Sequence, residues 1–182
     1  MKKEGNAPVI YTIGHSTRSL EDFVHILKSY HIALLADIRT MPGSNRVPQF
    51  NKENMEPALE KDGIRYIHLK ELGGLRHTTR DSVNTGWRNK SFRGFADYMQ
   101  TPEFEKGLEE LIRLAGKQRT AIMCAEAVPW RCHRSLVGDA LMIRGFEVHN
   151  IFSEKKEDIH KITPFAKVSG LKITYPEENA GF

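Results

Sequence analysis

Cysteine is scarce in this chain. Two residues in 182, Cys124 and Cys132, exclude the disulfide framework of a small secreted domain and suit a reduced compartment. Long apolar runs are missing as well, so no membrane span is expected. The start, Met1 to Ser16, is basic but lacks the apolar stretch of a secretory leader, and the cytoplasm is the expected location. Charge of one sign is in short supply: 27 Lys and Arg against 23 Asp and Glu give a net +4. That surplus helps to hold an anionic ligand without demanding nucleic acid. Repeats, low-complexity tracts and interdomain linkers are absent too.

What is present is a globular composition, 40% hydrophobic and 27% charged, enough for one sizeable core. A single α/β domain over 1–182 is expected, its core at about 8–153, with 154–182 as a C-terminal extension packed on it.

The stretch Thr120–Ser135, TAIMCAEAVPWRCHRS, organises the reading. Its apolar start predicts a buried strand ending at Cys124, and the basic Trp130-Arg131-Cys132-His133-Arg134 segment leads into a helical pattern at Val137, Ala140, Leu141 and Arg144. Free N–H groups and the dipole at a helix start favour an anion or a thiolate there.

Further strands are predicted at Val9–Ile13, Ile32–Ile38, Ile64–Leu69 and Glu147–Phe152. Between them, Ser19 caps a helix carrying Leu20, Phe23, Val24 and Leu27, and Asn51 starts a short one that has to accommodate Pro57. His77–Gly94 reads as a long polar loop, a candidate lid, followed by a helical turn at Phe95–Met99. Thr101-Pro102-Glu103 opens a longer helix that Gly116 ends, and Phe165–Tyr175 alternates around Ser169-Gly170 as a hairpin.

Strands separated by helices imply a three-layer α/β/α fold, with a mainly parallel, five-stranded Rossmann-like sheet and a small C-terminal hairpin. Ligands in such sheets bind beyond the carboxyl ends of the strands. Four strand ends deliver candidates there. Cys124 is the candidate nucleophile, with His15 or Asp37 as acid or base; Ser16, Arg39, Glu71, Gly73 and Glu126 are candidate ligand contacts. Arg131 and Arg134, with Ser135, read as an anion clamp joined by Cys132 and His133, and Arg93 as part of a basic loop.

Taken in order, GHS at 14–16, ADIR at 36–39, ELGG at 71–74, SFRGFADYM at 91–99, MCAEAVPWRCHRS at 123–135, and TPFAKV with ITYP in the tail resemble the domain of unknown function 488 family. The resemblance extends from about Tyr11 to Pro176. It implies a compact α/β domain with a Cys-x7-Cys-His-Arg element, carried here by Cys124, Cys132, His133 and Arg134, and it assigns no reaction.

The function expected from the residues is recognition of an anionic small molecule, phosphate-bearing or nucleotide-like, at the strand ends, with Cys124 serving a hydrolase or transferase. The interval between Cys124 and Arg131 is one residue longer than in the phosphate cradles of thiol phosphatases, which redirects the loop amides. Two alternatives stand beside it. One is a nucleotide or nucleic-acid module using Trp87, Phe92 and Trp130 between basic residues; the other is a Cys/His metal or redox site, although no metal ligand set is assigned. The cofactor and the oligomeric state are left open.

Overall fold

The computed structural model describes residues 5–178; the basic residues that precede them, part of the leader reading, lie outside it. Five parallel strands form the body of the sheet: β1 (Val9–Gly14), β2 (Leu34–Asp37), β3 (Arg65–His68), β4 (Thr120–Cys124) and β5 (Glu147–Ser153). A sixth, β6 (Lys156–Ile159), pairs antiparallel with β5, and the spatial order is β3-β2-β4-β1-β5-β6. The five-stranded expectation therefore gains one edge strand. Its sequence, KEDI, is exposed throughout and carries no apolar alternation to read. Charges of this kind are what keep an open sheet edge from pairing with another chain.

Helices cover both faces. On one side α1 (Leu20–Ser29) and α2 (Lys52–Lys61) bury Phe23, Leu27, Met55 and Leu59 against Tyr11, Ile13, Leu35, Ala121 and Met123. On the other, α3 (Lys90–Tyr98), α4 (Pro102–Ala115) and α5 (Arg134–Met142) bury Phe95, Leu108, Leu111, Leu136 and Val137 against Ile10, Ile38 and Ile122. The alternation of strand side chains sets this division. Cys124 shares the α3–α5 face with Ile122, two positions back. The thiol is thereby aimed at the start of α5.

Local signals explain most boundaries, with one helix start and one cap bond different from expectation. Ser19 accepts from the Asp22 N–H at 3.1 Å and starts α1 as expected. Asn51 precedes α2, but its Oδ1 accepts from the Ser44 N–H at 2.6 Å and caps no helix amide. Pro57 is accommodated inside α2 because fully buried Met55 and Leu59 anchor the helix around it. The helix expected from Phe95 starts earlier, at Lys90, where Asn89 Oδ1 accepts from the Ser91 N–H at 2.8 Å and the Phe92 N–H at 3.3 Å.

The irregular segment before α3 is not loose in this structure. The Asp97 carboxylate accepts from Thr78 Oγ1 at 2.8 Å, Thr79 N–H at 3.1 Å, Ser82 Oγ at 2.5 Å and Asn84 Nδ2 at 2.8 Å. The tail forms the expected hairpin, β7 (Lys167–Ser169) with β8 (Lys172–Thr174), around Gly170 at φ 61°. It is tied to α5 through buried Asp139, which accepts from His160 Nε2 at 2.9 Å, Thr163 Oγ1 at 2.6 Å and the Tyr175 hydroxyl at 2.8 Å. Among the described residues no helix is long and apolar enough to cross a membrane.

Candidate functional site

A cavity of about 410 Å³ opens beyond the carboxyl ends of β2 and β4, walled by Arg39, Thr40, Gly74, Phe92, Cys124, Glu126, Arg131, Cys132 and His133 among others. Its floor depends on Gly14. A Cβ there would lie 1.6 Å from the Glu126 carbonyl oxygen, so only glycine lets the 125–127 segment cross the end of β1. Ser16, at φ 52°, donates its N–H to the Ala125 carbonyl at 2.9 Å and fixes that crossing from the other side. The Gly-His-Ser turn thus shapes the loop that follows Cys124.

Arg134, the first residue of α5, is fully buried. Its guanidinium donates to the carbonyls of Glu126 and, at 3.1 Å, Ala127. It also reaches Thr12 Oγ1 at 3.3 Å and Cys124 Sγ at 2.8 Å. Thr12 can accept because its own hydroxyl proton goes to Asn150 Oδ1 at 2.6 Å. Among the described residues no carboxylate lies within ion-pair distance of Arg134. Burial, reinforced by the nearby Arg18 charge, pushes its pKa down to about 10, so the group keeps its charge near neutrality. A buried cation without a compensating anion is costly. In the reduced protein the Cys124 sulfur is the one group it touches that is able to carry negative charge.

Cys132 is joined to Cys124 sulfur to sulfur in this structure, with Cα atoms 7.3 Å apart, so the two cysteines can form a disulfide where they stand and are thiols only in the reduced protein. Cys132 Sγ accepts from the Arg134 N–H at 3.4 Å and lies 3.6 Å from His133 Nδ1. The other imidazole nitrogen, Nε2, is 2.9 Å from the Ile38 carbonyl, which can only accept. The proton is therefore on Nε2, and Nδ1 offers a lone pair towards Cys132. Burial, against the pull of the Ile38 and Leu72 carbonyls, lowers the His133 pKa to about 4. Gly74 makes room for the ring: a Cβ there would sit 2.5 Å from Nδ1.

Asp37 and Arg39 form a second buried corner. Asp37 accepts from Arg39 N at 3.1 Å, Nε at 3.0 Å and Nη2 at 2.8 Å, and from the Tyr66 hydroxyl. Arg39 Nη2 also donates to the Phe50 carbonyl at 2.8 Å, and Nη1 lies 3.3 Å from His15 Nε2. His15 points Nδ1 at the Ser16 carbonyl, 2.8 Å away, and stacks on Phe50 at 4.4 Å. Burial, with the Arg39 charge, lowers its pKa and keeps it neutral. Both ring nitrogens are occupied, and neither His15 nor Asp37 lines the cavity. The two expected acid–base residues stand behind Arg39, where they hold it in place.

Other candidates part company at this point. Glu71 sits on a 3₁₀ turn that aims it at α4, where it lies in a separate groove with Lys106 and Arg113. Gly73 packs on Thr40 and lets the ELGG turn approach β2, but it does not line the cavity. Arg93 donates to the Trp87 carbonyl at 2.9 Å instead of to the cavity. Arg131 and Arg134 do not form a joint clamp: Arg134 is buried beneath the sulfurs, while Arg131 is exposed at the rim with Glu126. Trp87 is packed against Phe92, Phe165 and Tyr175, whereas Trp130 lies beside Phe152, so these aromatics form no continuous stacking surface. Thr40 and Asn89 line the cavity without having been singled out as ligand contacts, and the Asn89 helix cap was the signal for the second. Among the described residues no group of three or more His, Cys, Asp or Glu has metal-holding geometry.

The family described as Domain of unknown function DUF488 matches residues 19–141, more than half of the chain, and the chain belongs to that family. The matched stretch contains Cys124, Cys132, His133 and Arg134 but neither the GHS turn nor the tail motifs. No curated protein and no solved structure matches.

Proposed function

We propose that this DUF488 protein is a thiol-dependent enzyme in which Cys124, as a thiolate paired with Arg134, attacks an anionic small molecule bound at the strand ends. The observation that carries the reading is the fully buried Arg134 guanidinium 2.8 Å from Cys124 Sγ with no carboxylate partner among the described residues. A neighbouring guanidinium favours the thiolate, the reactive form of cysteine. Arg131, exposed at the rim of the cavity and hydrogen-bonded to no carboxylate among the described residues, supplies the cation for an incoming anion. His15 and Asp37, assigned to proton transfer from sequence, serve this reading as supports for Arg39.

Alkylation with a charged and a neutral reagent tests both halves. Iodoacetate and iodoacetamide differ in one negative charge, and an ordinary thiolate reacts more slowly with the anion because like charges repel. The pocket should reverse that order at Cys124, and Arg131→Ala should restore it. Equal suppression of iodoacetate in wild type and variant would remove the anion preference from the account. A Cys124 that neither reagent modifies in the reduced, folded protein would remove the enzyme.

A further inference from the structure

Only one of the two thiols touches the guanidinium side chain; the other sits beside a neutral imidazole. Cys124 Sγ accepts from Arg134 Nη1 at 2.8 Å, while Cys132 Sγ lies 3.6 Å from the unprotonated Nδ1 of His133. Both line the same cavity, and the 125–131 loop brings their Cα atoms to 7.3 Å. A second thiol beside a nucleophilic one is of use only towards particular intermediates. An acyl or phosphoryl group on Cys124 would simply pass to Cys132 or wait for water. A sulfur on Cys124 is different, because a thiolate attacks the S–S bond itself and expels the attached group.

We infer that the site is a thiol–disulfide oxidoreductase whose substrate is a small disulfide bearing negative charge, with Cys124 attacking, Cys132 resolving and His133 taking the resolving proton. The inference rests on the Cys124 thiolate reading and names its substrate class. In the first step Cys124–S⁻ attacks one sulfur of R–S–S–R′; the mixed disulfide Cys124–S–S–R forms, the S–S bond of the substrate breaks and R′–S⁻ leaves. In the second, Cys132 gives its proton to His133 Nδ1 and its sulfur attacks Cys124 Sγ. The S–S bond that holds R–S on Cys124 Sγ breaks, R–S⁻ leaves and collects the proton from His133, and the Cys124–Cys132 disulfide forms. Two electrons pass from the protein dithiol to the substrate, and a small dithiol as reductant returns the protein to its starting state. Arg134 favours that return, because it stabilises the Cys124 thiolate and finds no charge to pair with in the disulfide.

Reduced protein mixed with dithiobis(nitrobenzoate), an anionic aromatic disulfide, gives a direct count. Wild type should release two thionitrobenzoates per chain and end as the Cys124–Cys132 disulfide in a peptide map, whereas Cys132→Ser should release one and keep the adduct on Cys124. In His133→Asn the rate of the second release relative to the first should fall about a hundredfold, the scale of general-base catalysis, and recover at high pH. A wild-type chain that stops after one release with a lasting Cys124 adduct overturns the oxidoreductase and leaves the thiolate reading standing. Absence of fast release from both wild type and Cys132→Ser overturns the two together. An unchanged release ratio in His133→Asn overturns the base assignment.

Discussion

Two buried arginines stand at neighbouring strand ends, and they are partnered in opposite ways. Arg39 faces a carboxylate: Asp37 takes three of its donors, and Phe50 and His15 surround the rest. Arg134 is more deeply buried and faces carbonyls, a hydroxyl and a sulfur. A guanidinium that is fully matched fixes a wall, because moving any partner would strand a charge. One whose only ionisable partner is a thiol makes that thiol respond to protonation, oxidation and substitution. The difference separates the framework of the pocket from its proposed reactive centre, and the two arginines came from different sequence patterns: Arg39 from the end of an apolar run, Arg134 from a basic helix start.

The sharpest way to break the comparison is to unmatch the framework. Asp37→Ala leaves Arg39 charged and buried and the Tyr66 hydroxyl without its acceptor, and should cost about 3–5 kcal/mol in chemical denaturation. A loss below about 1 kcal/mol would mean the Arg39 corner is not the rigid one.

Acid should weaken the reactive corner through His133. Its folded pKa is lowered to about 4 from an ordinary value of 6.5, so the unfolded chain takes up the proton first as pH falls. The contribution is complete above pH 6.5 and is lost as pH falls towards about 4, on the order of 3 kcal/mol in all. Urea midpoints across that range should fall in wild type and flatten in His133→Asn. Parallel curves would show that the imidazole is not held neutral by its burial.

Replacing the sulfur itself separates the two thiols. Cys124→Ser exchanges the ionisable partner of Arg134 for a neutral hydroxyl and should cost about 1–3 kcal/mol, with a smaller loss for Cys132→Ser. Equal losses would dissolve the asymmetry between them.

The smallest effect belongs to the wall formed by the 77–89 segment. Burial alone would raise the Asp97 pKa, but hydrogen bonds from Ser82, Asn84, Thr78 and the Thr79 N–H outweigh it and hold the carboxyl below its ordinary value. Its contribution is present above the unfolded carboxyl pKa and is lost as pH falls through the folded one. Asp97→Asn should cost about 1 kcal/mol, seen as faster hydrogen exchange at Thr79–Asn84. Unchanged exchange there would show that the carboxylate does not organise the segment.

The parallel strands were legible because each is a short apolar run bounded by polar or turn residues, and of the residues expected at their ends Arg39, Cys124 and Glu126 line one cavity. The edge strand β6 was hidden because a solvated edge has no apolar alternation to show. Asn51 and Asn89 offer the same cap chemistry, and only the competing Ser44 N–H decides that the second caps and the first does not. Glu71 was misplaced because one 3₁₀ turn rotates it away from the strand end. Arg134 was the largest difference. From sequence it read as half of an anion clamp with Arg131, and its burial depends on a long-range event, the crossing of the 125–127 segment over Gly14. His15 and Asp37 carried the right residue types for acid–base work, but their partners already occupy the atoms that would perform it.

The most direct test of the Cys124–Arg134 pairing is the pH dependence of alkylation of each thiol in reduced, folded protein, resolved by mass spectrometry. The proposed pairing predicts that Cys124 reacts at lower pH than a free thiol and than Cys132. A Cys124 that titrates like a free thiol, or that reacts only after denaturation, would contradict it.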